Sequence, residues 1–374
     1  MTYPRPISLE SRSPIIFGVC WWNHKSVKVL FCNDAIKPVF HGNFTNALTA
    51  AQQTNGYLIG WASRLTKAHE AACKAAGVPL TRIEDGFLRS VGLGAGLAPA
   101  ASLVLDARGI YYDGNQTSDL EWMLENMNLD VQQCQRGQNL RALITQMRVS
   151  KYNTGHKMEM KGFDDASFPP GRLKILVPGQ VSDDAAILKT RSDTIDLEAA
   201  ENINLELLKS VRRNNPDAFI IYKPHPDVAS DLRKGRIKSS DILSYADRVI
   251  TDVDIIDLIE LCDRIETLTS LTGFEALLRG KDVATYGLPF YAGWGLTTDH
   301  TRSNQRSRKR SIDELVYIAL VAYSRHIDPR SYKPCEAEDL IAALHEMRQS
   351  RKLKLLNSMR LYIAWIGDRL NPYT

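Results

Sequence analysis

Two pairs of adjacent carboxylates in the sequence have a placement suited to acid–base and nucleophilic chemistry. Glu84 and Asp85 end a strand-like run in the first half of the chain, and Asp183 and Asp184 end another in the second half. If the two halves face each other across a cleft, one carboxylate can act on an acceptor hydroxyl as a base or an acid. Another can act as a nucleophile or stabilise an oxocarbenium ion in glycosyl transfer. The simpler alternatives are a solvated loop for the first pair and a helix N-cap for Asp183.

A stretch of hydroxyl residues has the features of an anion site. Thr269, Ser270 and Thr272 follow a strand-like run and open a helical stretch. Their hydroxyls and the free backbone N–H groups therefore predict a phosphate site at a helix N-terminus. Glu275, early in this helix, would then lie within reach of a ribose hydroxyl. The alternative is that Ser270 or Thr272 is an ordinary N-cap.

A cation and an imidazole follow another strand-like run. Lys223 and His225 alternate with two prolines, which stiffen the backbone. Their charge suits an oxygen that becomes negative, such as the phosphate of a leaving nucleotide. By contrast, the Asp252-Val253-Asp254 stretch resembles a metal-binding DxD motif but lies where a strand passes into a helix. We interpret it as a helix cap and predict no metal site.

All of these residues depend on strands that carry them to one edge of a sheet. In the second half, the runs LKILVPG, AFIIYKP, RVITDV, RIETLTS and DVATYG each precede a helix-like stretch. This alternation predicts a parallel sheet covered on both faces, with ligands bound beyond the carboxyl ends of its strands. In the first half, PIIFGV, VKVLF and GYLIGW predict strands and residues 63–76 predict a helix. The run SLVLDARGIYYD predicts a hairpin that turns at residues 107–109.

The chain is long enough for two domains. Its 374 residues exceed the ~100 to 200 residues of one typical domain. Residues 150–172 are polar, contain Gly and Pro and lack periodicity, which indicates a linker. We therefore predict α/β domains at residues 1–155 and 172–340, followed by an amphipathic helical tail at residues 341–374. Two Rossmann-like domains that face a cleft form the architecture called GT-B in glycosyltransferases.

The composition excludes several classes of protein. Apolar residues make up 44% and charged residues 24% of the chain, as in globular proteins and unlike disordered ones. The N-terminus has no signal-peptide core, and no apolar run approaches the ~20 residues that span a bilayer. Six scattered cysteines without CxxC pairs indicate a reducing cytoplasm. The net charge of only +4 does not favour nucleic acid as a partner.

The positive charge is concentrated near the C-terminus. Residues 301–374 hold 14 Lys/Arg against 8 Asp/Glu, and residues 345–366 have an amphipathic helical pattern with an apolar stripe from Leu356 to Ile366. One interpretation is peripheral attachment to an anionic surface such as the inner membrane. The other is packing of the helix against the body, and the two are compatible. The membrane interpretation is supported by a further group of basic residues, namely Arg302, Arg306, Arg308, Lys309 and Arg310.

Longer motifs carry a family resemblance. In chain order they are EDGFLRSVGLG, SLVLDARGIYYD, GQVSDDA, YKPHPDV, TSLTGFEALLRGK, TYGLPFYAGWGLT and ELVYIALVAYSRHIDPRSYKPC. Together they resemble the KpsC/LipA family of capsule polysaccharide proteins, and the matches run in order from about residue 56 to residue 335. The resemblance implies a GT-B-like fold and a retaining β-Kdo glycosyltransferase that uses CMP-Kdo as donor without a cofactor or metal. Many members carry two such modules in tandem, and this chain has the length of one.

The resemblance also implies roles for residues of the second domain, which would bind the CMP-sugar. Asp184 ends a Gln-x-x-x-Asp motif that begins at Gln180, and it would attack the anomeric carbon. Lys223, His225 and Ser270 would stabilise the departing CMP. The remaining members of the implied nucleotide site are Gln180, Thr269, Thr272 and Glu275.

The first domain would serve the acceptor. Asp85 or Glu84 would deprotonate the acceptor hydroxyl, and Arg89 would bind a carboxylate of Kdo or of the acceptor, a task that suits a guanidinium. Asp183 is a further expected substrate contact, and it is the alternative to Asp184 as the nucleophile. The expected acceptor is a Kdo-bearing glycolipid or oligosaccharide. Two alternatives stay open at this point: a transferase that uses CMP-sialic acid, and a non-catalytic glycan- or lipid-binding module of an assembly complex.

Overall fold

A computed structural model describes residues 12–31, 37–92, 97–151, 153, 168–225, 228, 235, 237–251, 253–350 and 359–360. These residues form two β-sheets with helices packed against them, and the carboxyl ends of their parallel strands face a common cleft. This arrangement confirms the predicted α/β class with two Rossmann-like units facing a cleft.

The first sheet has seven strands in the order β13-β12-β5-β4-β3-β1-β2. Strands β1 to β4 are parallel, whereas β5, β12 and β13 join the edge of the sheet in antiparallel pairs. The chain order of the parallel strands reverses between β1 and β3, which makes that point a site for ligands. The strands are β1 (Pro14–Phe17), β2 (Val39–His41), β3 (Tyr57–Trp61), β4 (Leu80–Asp85), β5 (Ser102–Asp106), β12 (Ser324–Ile327) and β13 (Pro334–Cys335).

The second sheet has six strands, all parallel, in the order β11-β10-β9-β6-β7-β8. This is the order of a dinucleotide-binding Rossmann sheet, and its reversal point lies between β6 and β9. All five residues of β7 are buried, as expected for a strand with helices on both faces. The strands are β6 (Lys174–Pro178), β7 (Phe219–Lys223), β8 (Arg248–Val249), β9 (Arg264–Thr267), β10 (Asp282–Thr285) and β11 (Thr298–Asp299).

The helices begin where side chains cap the free backbone N–H groups. Thr66, Ser118, Asp130 and Ser311, for example, each accept a hydrogen bond from a backbone N–H in the first turn of the helix that follows. The helices are α1 (His24–Phe31), α2 (Phe44–Gln53), α3 (Lys67–Ala75), α4 (Asp119–Asn126), α5 (Val131–Gln146), α6 (Ala185–Leu188), α7 (Ile203–Asn214), α8 (Ser239–Leu243), α9 (Ile255–Leu261), α10 (Leu271–Leu278), α11 (Ile312–Tyr317) and α12 (Ala337–Gln349).

Two predicted elements of the first half are wrong. The run VKVLF belongs to helix α1, in which Ser26 and Val27 are buried and Lys25 and Lys28 are exposed. A short apolar run is compatible with either a strand or the buried face of a helix, so the sequence of this run does not distinguish between these two structures.

The predicted hairpin does not form. Both edges of β5 are paired with other strands, β4 on one side and β12 on the other, and the Asp106 side chain binds the turn that follows. Oδ1 of Asp106 accepts hydrogen bonds from the backbone N–H groups of Arg108 at 3.0 Å and Gly109 at 2.7 Å. The chain therefore turns away from the sheet after β5. Tyr111 and Tyr112 lie in a loop that faces the cleft.

The predicted second domain, residues 172–340, includes a segment that belongs to the first sheet. Strand β12 pairs with β5, and β13 pairs with β12, so the chain crosses back at residues 324–335. The second sheet itself ends at Asp299. The sequence gives no local sign of this return, because an edge strand is defined by a partner more than 200 residues away. Most of the predicted linker lies outside the described residues.

Two arginines of the predicted membrane-binding group are buried inside the protein. Arg306 donates from Nε to the Glu121 carboxylate at 2.9 Å and from Nη1 to the Pro289 carbonyl at 2.6 Å. Arg310 donates to the carbonyls of Leu124 and Met127 near the end of α4. These charges hold the segment after β11 against α4 and are not a free basic surface, which corrects the prediction for these two residues.

Only part of the predicted tail lies within the described residues. Helix α12 buries Leu340, Ile341 and Leu344 against the body. These residues precede the predicted stripe, for which the packing and membrane interpretations both stay predictions. Leu356 and Ile366, which bound the predicted stripe, lie outside the described residues. No helix in the described part of the chain is long and apolar enough to cross a membrane.

We predict that Arg306→Ala lowers the free energy of unfolding by ~3 kcal/mol or more, because it leaves the buried Glu121 carboxylate without its cation. The matched control is Arg302→Ala, which removes an exposed side chain from the same basic stretch and should change stability by less than ~0.5 kcal/mol. Chemical denaturation of the three proteins measures both values. Equal, small effects of the two substitutions would contradict the buried ion pair.

Candidate active site

One large cavity lies between the two sheets. Its volume is about 740 Å³, within the range of ~300 to 1,000 Å³ that is common for small-molecule sites. Loops that follow β1 and β3, and loops that follow β6 and β9, all line it, so both reversal points open into the same space. From the first domain it is lined by Cys20, Trp22, Asn23, Trp61, Ser63, Arg64, Glu84, Asp85, Arg89, Tyr111 and Tyr112, among others.

Every predicted site residue except Asp183 lines this cavity. Asp183 is exposed and lies outside the lining. The structure thus brings the carboxylates of the first domain together with the cation and hydroxyl residues of the second. The lining residues that sequence reasoning had singled out are Glu84, Asp85, Arg89, Gln180, Asp184, Lys223, His225, Thr269, Ser270, Thr272 and Glu275. Their chemical roles stay predictions.

Glu84 is a buried carboxyl at the end of β4. Its Oε2 accepts hydrogen bonds from the Ser63 N–H at 3.1 Å and the Tyr112 hydroxyl at 3.3 Å, and its Oε1 accepts from the Asp85 N–H at 3.2 Å. Burial and, secondly, the neighbouring Asp85 charge raise the pKa of Glu84 to about 7. A carboxyl with this pKa can take up and release a proton near neutral pH, as a general base must.

Asp85 is held by Arg89. The Arg89 Nε donates to Asp85 Oδ2 at 2.5 Å, and its Nη1 donates to the Ala98 carbonyl at 2.8 Å and to the Ser90 hydroxyl at 3.1 Å. Only 2% of Arg89 is exposed. The predicted binding of a substrate carboxylate by Arg89 stays a prediction, and in the structure its guanidinium contacts protein groups.

Asp184 faces these carboxyls from the other domain. It is the N-cap of α6, and its Oδ2 accepts a hydrogen bond of 3.4 Å from the Ala186 N–H. The sequence had suggested Asp183 for this cap. After burial, the charges of Glu84 and Asp184 are among the causes that raise the pKa of Tyr112. The carboxylates of both walls therefore act on the same tyrosine.

Gln180 connects two strand ends of the second sheet. Its Oε1 accepts hydrogen bonds from the Leu268 and Thr269 N–H groups at 3.2 and 3.1 Å, and its Nε2 donates to Thr269 Oγ1 at 2.9 Å. These bonds fix the loop after β9 against the loop after β6. Gln180 thus positions the start of α10.

The start of α10 confirms the capping alternative for Ser270. The Ser270 hydroxyl accepts from the Thr272 N–H at 3.2 Å, and the Ser270 carbonyl accepts from the Tyr291 hydroxyl at 2.5 Å. Gly273, in the first turn of this helix, must be a glycine, because a Cβ at this position would overlap the Tyr291 hydroxyl. Phosphate binding at this helix end stays a prediction. Lys223 donates from Nζ to the Thr251 carbonyl at 2.8 Å, at the same edge of the sheet.

Glu275 connects the two domains. Its Oε1 accepts a hydrogen bond of 2.9 Å from the Lys151 N–H, and the Lys151 carbonyl accepts from the N–H groups of Arg89 and Ser90 at 3.0 and 3.1 Å. Burial raises the pKa of Glu275. The contact of Glu275 with a ribose stays a prediction. Its Oε1 already accepts the hydrogen bond from the Lys151 N–H.

Sequence reasoning missed several lining residues of the first domain. Arg64 and Trp22 lie after β3 and β1, and they follow the same rule that found residues beyond the strands of the second sheet. Tyr111 and Tyr112 were hidden by the wrong hairpin. Lys151 lies in the segment interpreted as a linker.

Comparison with known proteins gives the chain a family context. Residues 57–328 match the family described as "Capsule polysaccharide biosynthesis protein". The chain is 44% identical over 275 residues to the capsule polysaccharide modification protein LipA of Neisseria meningitidis serogroup A, a match that covers 74% of this chain and 37% of LipA. It is 34% identical to the lipopolysaccharide-processing protein LpsZ of Rhizobium meliloti over 89% of this chain and 74% of LpsZ. The chain thus spans little more than a third of the length of LipA.

Two solved structures of Thermosulfurimonas dismutans KpsC are similar throughout the fold. The one described as a beta Kdo 2,7 transferase has 31% identity and a TM-score of 0.69 over 90% of this chain and 100% of that chain. The one described as a beta Kdo 2,4 transferase has 30% identity and a TM-score of 0.72 over 88% of this chain and 97% of that chain. The similarity supports the predicted GT-B-like fold.

The high pKa of Glu84 predicts a pH-dependent stability. Its pKa rises from an ordinary 4.5 to about 7 on folding, so the folded protein holds a proton between these values that the unfolded chain releases. Stability from this group is present at low pH and is lost as pH rises toward and through 7. In Glu84→Gln this loss is absent. The stability of the wild type relative to the variant should therefore fall by about 2–3 kcal/mol between pH 5 and pH 8.

The measurement is chemical denaturation of both proteins at the two pH values. Glu198→Gln is the matched control, because Glu198 is an exposed glutamate that does not line the cavity, and its difference from the wild type should be the same at both pH values. A pH-independent difference for Glu84→Gln would show that the pKa of Glu84 is ordinary.

Proposed function

The chain belongs to the capsule polysaccharide biosynthesis family, and we propose that it transfers the sugar acid Kdo from CMP-Kdo to an acceptor hydroxyl with retention of configuration. The observation that carries the proposal is the pairing of Asp184 with Glu84 and Asp85 across one cavity. Two successive displacements give retention, and they require a carboxylate nucleophile and a separate base. The acceptor would be a Kdo-bearing glycolipid or oligosaccharide.

The second domain would bind CMP. Its strand ends present Lys223, His225 and the capped start of α10 at Ser270 to the cavity. A cation, an imidazole and a helix N-terminus can balance the charge that grows on the phosphate as CMP leaves. A single leaving phosphate with these partners requires no divalent ion, so we propose a reaction without metal or cofactor.

In the first displacement, the Asp184 carboxylate attacks the anomeric carbon of Kdo. The bond between that carbon and the phosphate oxygen breaks, and its electron pair leaves with CMP. The cap bond from the Ala186 N–H, at 3.4 Å, is long and withdraws little charge from the carboxylate. The product of this step is a Kdo ester of Asp184.

In the second displacement, the acceptor hydroxyl attacks the same carbon and Glu84 takes its proton. The ester bond breaks and returns its electron pair to the Asp184 carboxylate. Asp85 contributes through its charge, which helps to raise the pKa of Glu84 and so makes Glu84 a stronger base at neutral pH. The proton on Glu84 is then released to water.

The two carboxylates should fail differently when they are replaced. In Glu84→Gln the first displacement is intact and the second lacks its base, so turnover should fall by ~100-fold or more and an adduct of one Kdo on Asp184 should accumulate. Asp184→Asn keeps the helix cap, because Asn caps as well as Asp, but removes the nucleophile. It should give neither adduct nor product.

Intact-mass spectrometry with peptide mapping detects the adduct after incubation with CMP-Kdo, acceptor and a chelator. Asp183→Asn is the matched control, since Asp183 lies outside the cavity lining, and its turnover should stay within about twofold of the wild type. Normal turnover of Asp184→Asn would contradict the two-step mechanism. Loss of wild-type turnover on addition of the chelator would contradict the proposal that the reaction needs no metal ion.

A further inference from the structure

Arg64 is an exposed cation on the first-domain wall of the cavity. It ends a short 3-10 helix, Ala62–Arg64, that follows β3. Within the described part of the chain, the polar contact of its guanidinium is a 3.1 Å hydrogen bond from Nη2 to Cys20 Sγ. Burial raises the pKa of the Cys20 thiol, so Arg64 faces a neutral sulfur, which is a weak acceptor.

The stem of Arg64 is held in place by a glycine. Gly18 follows β1 with a φ of +76°, a backbone conformation that favours glycine. A Cβ at this position would lie 3.2 Å from Cδ and 3.3 Å from Cβ of Arg64. The absence of a side chain at residue 18 thus gives the Arg64 stem a surface to pack on, and the guanidinium projects toward Cys20.

The same turn also holds the proposed base. Ser63, the residue before Arg64, donates its N–H to Glu84 Oε2 at 3.1 Å. The Arg64 backbone and the Glu84 carboxylate are therefore fixed to one another through a single residue. A ligand that presents a hydroxyl to Glu84 would have its neighbouring groups within reach of Arg64.

The other arginine of the first-domain wall is already occupied. Arg89 is 2% exposed and binds Asp85, Ser90 and the Ala98 carbonyl. Arg64 keeps most of its five N–H donors for a ligand, and a guanidinium binds a carboxylate through two parallel hydrogen bonds.

Building on the proposed transfer to a Kdo-bearing acceptor, we propose that Arg64 binds the carboxylate of the acceptor sugar. The carboxylate replaces the Cys20 thiol as the partner of the guanidinium, and its position directs one hydroxyl of the same sugar to Glu84. Arg64 is thereby a residue that determines acceptor specificity, and it takes no part in cleavage of the donor.

The test compares two acceptors: a synthetic oligosaccharide with a terminal Kdo, and the same compound with that carboxylate converted to an amide. With the wild type, the amide should have a KM roughly 10- to 100-fold higher, the range that charge-assisted hydrogen bonds span. Arg64→Ala should raise the KM of the acid by a similar factor and leave the KM of the amide nearly unchanged. Arg64→Lys keeps the charge but not the paired donors, so its KM for the acid should lie between the values of the wild type and of Arg64→Ala.

Two controls make the result specific. Lys67→Ala removes an exposed cation three residues away that does not line the cavity, and it should leave both KM values unchanged. The KM of CMP-Kdo and its hydrolysis without acceptor should be unchanged in Arg64→Ala. Equal losses for both acceptors, or a higher KM for CMP-Kdo, would overturn the assignment of Arg64. Absence of transfer and of hydrolysis in the wild type would instead overturn the proposed function.

Discussion

The hydrogen bond between the buried Glu275 carboxylate and the Lys151 N–H is the constraint on which the site depends. It ties α10 of the second domain to the connecting segment, and the Lys151 carbonyl then binds the N–H groups of Arg89 and Ser90. Arg89 in turn holds Asp85. A buried carboxylate without such a partner is strongly unfavourable, so the helix facing the proposed donor and the strand end facing the acceptor are held at a fixed separation.

The two walls of the cavity present different chemical groups to it. The first wall places Glu84 beside Asp85, and the resulting pKa of about 7 suits proton uptake. The second wall places Lys223 and His225 near the start of a helix, where they would stabilise a leaving phosphate in the proposed reaction. A sugar held between the walls would meet a carboxylate nucleophile, an anion site and a base without movement of the scaffold. Fixed geometry of this kind lowers the barrier by removing reorganisation during the reaction.

The second domain could be predicted from sequence more fully than the first, for a physical reason. Its buried parallel strands are continuous apolar runs, so the polar residues that end or follow them, such as Lys223 and Asp184, mark the carboxyl edge directly. In the first domain the antiparallel edge is completed by β12, whose partner β5 is more than 200 residues distant, and composition does not encode that pairing. The charge of Arg306 likewise gave no sign of its partner Glu121, because an ion pair between distant segments has no local pattern.

The anomeric configuration of the new linkage is the most direct test of the two displacements through Asp184. Incubation of the wild type with CMP-Kdo and a Kdo-terminated acceptor, followed by NMR of the purified product, determines it. Attack by Asp184 and then by the acceptor inverts the anomeric carbon twice, so we expect a β-linked Kdo, as in the donor. An α-linked product would mean a single displacement, and it would contradict the role of Asp184 as a nucleophile and the arrangement of carboxylates proposed for this cavity.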